Sequence, residues 1–200
     1  QVMPDTKLLL AGPEVSYNST EVMEQYTFID GIIRGEGEAA LIPLLKHLQS
    51  GTPAASVPSF TYRIGQHITE TEQASPISLS QLPFPYPDLE KEKGRLLYFE
   101  CSRGCPFQCG YCLSSIEKGV RFMPLEQVYQ CLDLFLSKDV PQVKFVDRTF
   151  NCKKSHAMAI WQYIRDHDNG ITNFHFEIAA DLLDKDELDL LSTMRPGLVQ

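Results

Sequence analysis

From Gly94 onward the hydrophobic period of the sequence switches three times, always in the same order. The runs "RLLYFE", "QVKFVD" and "NFHFEIAAD" are short and strand-like, and each is followed by a stretch with helical spacing. The first helix, "PLEQVYQCLDLFLSK", places Leu125, Val128, Leu132 and Phe135 on one stripe, with Pro124 in the tolerated first turn. The second, "SHAMAIWQYIRDH", lines up Ala157, Ile160, Trp161 and Ile164, and the third, "DKDELDLLSTM", offers Asp184 as its cap. Strands separated by helices return in the same direction, because a parallel pair needs a long crossover. The pattern therefore predicts an α/β unit with a parallel sheet and right-handed connections, either doubly wound or the opening of a barrel.

The upstream half repeats the idea once and then abandons it. "KLLLA" reads as a buried strand ended by Gly12-Pro13, and "STEVMEQY" as a short helix with Ser19 or Thr20 at its cap. "FIDGIIRG" reads as a second strand before a helix in which Leu41, Leu44, Leu45 and Leu48 recur and Gly51 marks the stop. Pro43 must fall in the first turn of that helix or bend it. "SFTYRIGQHIT" alternates about Gly65-Gln66 as a hairpin would, and Pro76, Pro83, Pro85 and Pro87 then keep the chain extended. The expected organisation is an α/β piece over residues 1–52, a hairpin and Pro-rich linker over 53–93, and a second α/β piece over 94–200. The start at Gln1 and the close at "RPGLVQ" both read as cuts, so the chain is expected to be a portion of a longer protein.

Composition narrows the function classes. With 43% hydrophobic and 22% charged residues the chain can bury a core. Its net charge of -8 argues against nucleic acid or an anionic membrane as partner, since both reward basic patches. No membrane span and no signal segment can be read, so the expected location is cytoplasmic and the cysteines reduced. Cys131 and Cys152, remote in sequence from the other four, read as small buried hydrophobes.

Those other four lie together in "ECSRGCPFQCGYCLSS". Cys105, Cys109 and Cys112 are spaced C-x3-C-x2-C, so three soft thiolates can converge on an iron–sulfur cluster and leave one iron open. Gly104 and Gly110 allow a tight backbone path between them. A zinc knot normally uses two separated C-x2-C pairs, and here there is one. Cys101 could complete a ferredoxin-type site, although the bacterial ferredoxin run is spaced differently, and a redox pair at Cys109 and Cys112 stays open while leaving Cys105 unexplained. The loop follows the first strand of the βα series, where such folds bind ligands. Asp147 closes the second strand, as a ligand or as a turn former. In the third strand Phe174, Phe176 and Ile178 face one way and His175 and Glu177 the other, where Glu177 needs a ligand or an ion pair.

"SRGCPFQCGYC" resembles the cluster loop of radical S-adenosylmethionine (SAM) enzymes. The resemblance implies that Cys105, Cys109 and Cys112 bind a [4Fe–4S] cluster and that Tyr111 lies beside the adenine of SAM. It also implies an electron from the cluster cleaving SAM to a 5′-deoxyadenosyl radical, drawn from a reductant such as flavodoxin or ferredoxin, for anaerobic modification of a small-molecule substrate. "LLLAGPEVS" and "FIDGIIRGEGE" are similar to the second half of the cobalamin-binding domain in the B12-dependent branch, in its magnesium-protoporphyrin oxidative cyclase-like set. By that resemblance the fold is the C-terminal part of a Rossmann-like cobalamin domain followed by the first βα units of a TIM-type barrel. Gly12, Gly35, Glu36 and Gly37 become the cobalamin-side residues, with Ala11-Gly12 standing where the branch has Gly-Gly. The Gly-Gly-Glu motif that relatives use for the methionine amino group is absent, which leaves Asp147 and Glu177 as the residues expected to replace it. An incomplete barrel also exposes sheet edges, so self-association of the chain alone is expected. The competing reading is a non-catalytic zinc or iron–sulfur module that organises a partner interface.

Overall fold

The structure, a computed structural model, describes residues 6–116 and 119–200. The chain divides into two compact units, Gln1–Ile77 and Ser78–Gln200.

In the first unit, strand β1 (Leu9–Ala11) pairs in parallel with β2 (Gly31–Ile33) across two short helices, α1 (Pro13–Ser16) and α2 (Ser19–Gln25). Helix α3 (Glu38–Ser50) follows and stops at Gly51, as expected. The hairpin about Gly65-Gln66 forms from β3 (Phe60–Ile64) and β4 (His67–Glu70). It is not a free-standing part of a linker, because β3 pairs antiparallel with β2 and extends the sheet to the order β1-β2-β3-β4. Gly31 makes this possible: a Cβ there would lie 2.4 Å from the Phe60 ring. Two details depart from the sequence reading. Ser19 does not cap its helix; its hydroxyl meets Thr61 Oγ1 at 2.7 Å and donates to Glu70 at 2.9 Å, tying α2 to the hairpin. In α3 only Ala40 and Leu44 are buried, against Ile33, Val57, Phe60 and Tyr62, while Leu41, Leu45 and Leu48 are exposed. A single sheet layer covers a single stripe of the helix. Pro43 sits inside α3, beyond its first turn.

The second unit contains the three βα repeats. Strands β5 (Leu96–Phe99), β8 (Gln142–Phe145) and β9 (Asn173–His175) form a parallel sheet in that order. Between β5 and β8 lie the hairpin strands β6 (Ser102–Cys105) and β7 (Gly119–Phe122) and helix α4 (Leu125–Ser137). Helix α5 (Lys154–Asp166) precedes β9, α6 (Lys185–Ser192) follows it, and Val199 bridges Phe174 in parallel as a fourth position. Leu97, Phe99, Val143, Phe145, Phe174 and Phe176 point into one core with Val128, Leu132, Phe135, Ile160 and Trp161. The opposite face, with Leu96, Tyr98 and Glu177, is open. Spatial order equal to chain order, with helices on one face, is how a βα barrel begins; a doubly wound sheet is covered on both faces. Ile178, expected beside the phenylalanines, is exposed, because regular pairing ends at His175.

The Pro-rich segment is extended but is no loose tether. Leu79 is buried, and Leu82, Phe84, Tyr86 and Leu89 pack on the core of the second unit. Phe84 and Tyr86 lie against Phe135 at ring distances of 5.2 and 6.1 Å.

Candidate functional site

The cysteine loop springs from the carboxyl end of β5 as the tip of the β6–β7 hairpin. Cys105 is the last residue of β6, opposite Gly119, and Cys109 and Cys112 lie in the connection. Gly104 is obligatory here, with φ of +104° and the carbonyl oxygen of Gly119 only 2.2 Å from where a Cβ would stand. Gly110 shows neither constraint, so one of the two expected glycine roles is met. The Cys112 amide donates to the Cys109 carbonyl at 3.1 Å, closing a turn between those two thiols. All six cysteines are free; Cys109 is exposed, and Cys105 and Cys112 are half-buried. The amide and hydroxyl of Ser114 pull the Cys112 thiol below its ordinary value, and the nearby Arg148 cation acts in the same direction. Tyr111 is 94% exposed beside them.

The segment after β8 underlies this loop. Asp147 is 1% exposed and accepts from the Cys101 amide at 3.3 Å, the Cys101 thiol at 3.2 Å and the Ser102 hydroxyl at 2.5 Å. Burial pushes its carboxyl up, and the Ser102 and Cys101 donors oppose that rise. Burial and the Asp147 charge push the Cys101 thiol well up. Thr149 Oγ1 lies 3.6 Å from Cys105 Sγ. Cys152, expected to be a remote buried hydrophobe, is half-buried and near enough to Cys105 that its thiol is raised, by burial first and by Cys105 second. Cys131 is buried as expected, its thiol pushed up to about 11 by burial alone.

Glu177 lies on the open face with its carboxylate 3.0 Å from Lys144 Nζ, so it takes the ion pair that the sequence allowed it. The structure thus brings Asp147 to the base of the cysteine loop and leaves Glu177 on the sheet surface.

In the first unit, Gly12 follows β1, and Gly35, Glu36 and Gly37 follow β2, both at carboxyl ends of parallel strands. One hydroxyl joins the two loops: Ser16 donates to the Gly12 carbonyl at 2.7 Å and accepts from the Gly35 amide at 3.0 Å. Cβ atoms at Gly12 or Gly37 would meet nothing within 4 Å, whereas one at Gly35 would lie 2.9 Å from Gln73 Nε2, so the edge is open at Gly12 and Gly37 and covered at Gly35.

Among the described residues, no three His, Cys, Asp or Glu side chains close on a site the size of one metal ion. The donor set itself suits a cluster: three uncrosslinked thiols on one accessible loop, one of them already lowered toward thiolate.

No protein-family model matches the chain. It is 29% identical over 164 residues to an uncharacterised methyltransferase of Pyrococcus horikoshii, covering 76% of this chain and 36% of the relative. It is 26% identical over 175 residues to the cobalamin-dependent radical SAM methyltransferase TokK of Streptomyces tokunonensis, covering 78% and 26%. An anaerobic magnesium-protoporphyrin IX monomethyl ester cyclase of Synechocystis is 27% identical over 117 residues, covering 55% and 23%. Among solved structures, the cobalamin-dependent SAM radical enzyme OxsB, with aqua-cobalamin and SAM bound, superposes with a TM-score of 0.71 at 19% identity, over 92% of this chain and 28% of that one. The radical SAM methyltransferase TsrM of Kitasatospora setae, with cobalamin and a [4Fe-4S] cluster bound, also gives 0.71, at 17% identity, over 94% and 40%. The chain is similar in sequence and in fold to cobalamin-dependent radical SAM enzymes. Its α/β fold is theirs, and it spans about a third or less of the length of these curated relatives.

Within this fold the sequence reading missed Ser102, Thr149, Ser114 and Ser16. Each acts through a hydroxyl, and Ser102, Thr149 and Ser16 reach residues 19 to 45 positions away. No local pattern marks such a residue. Ser114, two residues from Cys112, lies within the quoted loop and was readable as a neighbour of the triplet.

Proposed function

We propose that the protein carrying this chain is a radical SAM enzyme that modifies a small-molecule substrate, by methylation, cyclisation or a similar reaction. The observation behind this reading is the placement of three free cysteines on one loop at the carboxyl end of the first strand of a parallel sheet. In the proposal Cys105, Cys109 and Cys112 hold a [4Fe–4S] cluster, whose chemistry is to supply the electron that cleaves SAM to a 5′-deoxyadenosyl radical. Tyr111, free of packing, is available to lie against the adenine. Glu177 is an acceptor for the methionine amino group, reachable once its pair with Lys144 opens. Asp147, the other acceptor the sequence offers, has its carboxylate already engaged by three donors.

The first unit is proposed to meet cobalamin along the Gly12 and Gly35-Glu36-Gly37 edge. A reductant such as flavodoxin or ferredoxin and a cytoplasmic setting complete the reading. No helix among the described residues is long and apolar enough to cross a membrane.

Anaerobic reconstitution of the intact protein with iron and sulfide tests the proposal. The expected product is brown, with a [4Fe–4S] spectrum that changes on adding SAM. Alanine at Cys105, Cys109 or Cys112 should abolish cluster iron, while Cys131→Ala should keep it. A colourless protein that binds one zinc tightly would instead identify a non-catalytic module.

A further inference from the structure

The stretch "VDRTFN" leaves the carboxyl end of β8, and the structure gives it a task at the base of the cysteine loop. Parallel pairing of β8 with β5 continues one step past the end of β8, since the Val146 amide donates to the carbonyl of Phe99, the last residue of β5, at 2.9 Å. Asp147 therefore emerges directly under the turn through which the chain leaves β5 for β6. Its side chain reaches the first two residues of the outgoing hairpin strand region, Cys101 and Ser102, and engages both oxygens there. Cys105 stands three residues beyond Ser102.

The far side of the segment is fixed as well. Asn151 clasps Ala179 through two bonds of 2.9 Å, amide to carbonyl and carbonyl to amide, and the Phe150 amide donates to the Glu177 carbonyl at 2.9 Å. Thr149, between them, touches Cys105 Sγ. Asp147 thus sits on a braced support. A buried carboxylate is a poor way to gain stability, since an apolar side chain of similar size often does as well. What three convergent donors add is direction: they fix the angle at which the hairpin leaves the sheet.

We infer that Asp147 is a positioning residue that sets where the cysteine loop presents Cys105, holding the loop by its first turn. The inference rests on the functional reading above and adds a residue to it. Partners that orient metal ligands from outside commonly change metal affinity by about 10–100-fold when lost.

The test is Asp147→Asn in the intact protein, reconstituted anaerobically beside wild type and Ser102→Ala. An iron chelator should strip the cluster of Asp147→Asn about tenfold faster or more than that of wild type. The electron paramagnetic resonance signal of its reduced cluster should also broaden. Ser102→Ala should shift both readouts less and in the same direction, and the double variant should be no worse than Asp147→Asn alone, because the hydroxyl acts through the carboxylate. If Asp147→Asn fails to fold, Ser102→Ala decides by the same readouts. Wild-type chelation rates and spectra in both variants would overturn the inference. So would an intact cluster in Asp147→Asn that no longer responds to SAM, which would assign the carboxylate to the cosubstrate. A wild-type protein that takes up zinc and no iron would sink the functional reading first, and the inference with it.

Discussion

His156 ties the returning strand of the hairpin to α5. Its Nε2 lies 3.2 Å from the carbonyl of Met123, just past β7, and its ring lies 4.9 Å from that of Phe122. The other nitrogen, Nδ1, is buried with no partner among the described residues. Burial pushes the imidazole below its ordinary value of 6.5, with the Lys153 cation helping and the Met123 carbonyl opposing. The folded protein therefore resists protonation that the unfolded chain accepts. Stability from this site is complete above about pH 6.5 and declines as the pH falls from there toward the depressed folded value. Urea denaturation at pH 7.5 and 5.5 should show a lower midpoint at the acidic pH. His156→Phe, which keeps a ring beside Phe122, should remove most of that difference; an unchanged pH response in the variant would place its source elsewhere.

At the scale of elements, the outer edge of β5 illustrates how a non-local contact replaces a missing strand. An edge strand presents unpaired amides and carbonyls that invite association. Here the Tyr86 hydroxyl accepts from the Tyr98 amide at 2.7 Å and donates to the Tyr98 carbonyl at 2.8 Å, so one side chain occupies both groups. Tyr86→Phe should cost about 1 kcal/mol in denaturant unfolding, and should raise concentration-dependent association in sedimentation runs. Equal sedimentation of variant and wild type would show that the hydroxyl does not guard the edge. The prolines around Tyr86 were legible as extended chain, because proline fixes φ and withholds a donor. What that chain packs on was not legible, since it depends on Phe135 and Tyr98. The capping box of α6 was half legible from the D-K-D-E spacing. Asp184 accepts from the amides of Asp186 and Glu187, and Glu187 accepts from that of Asp184. The cysteine triplet was legible for the same reason of short spacing, whereas the clamp from Asp147 spans 45 and 46 positions and leaves no periodic trace.

At the scale of the whole molecule, each unit is described by its own sheet, and in the second unit the two faces of the sheet carry different burdens. On the helix side Phe145 is fully buried, with the rings of Phe99, Phe150 and Phe176 at 5.3, 5.4 and 4.5 Å. Removing its ring leaves a void bounded by aromatic side chains that are themselves held by Trp161 and α5, so collapse around it is limited. Phe145→Ala should cost about 3–5 kcal/mol, a large part of what a domain of this size has to lose. One residue earlier, Lys144 points to the open face and pairs with Glu177, whose side chain is 49% exposed. Lys144→Ala should cost less than about 1 kcal/mol, as exposed pairs usually do. The comparison, made by denaturant unfolding of the same protein, tests whether stability and chemistry are divided between the faces. Comparable losses in the two variants would mean that the Lys144 face is packed core. A small loss there, beside a large one at Phe145, leaves the Lys144–Glu177 face free to exchange its internal ion pair for a bound ligand without endangering the fold.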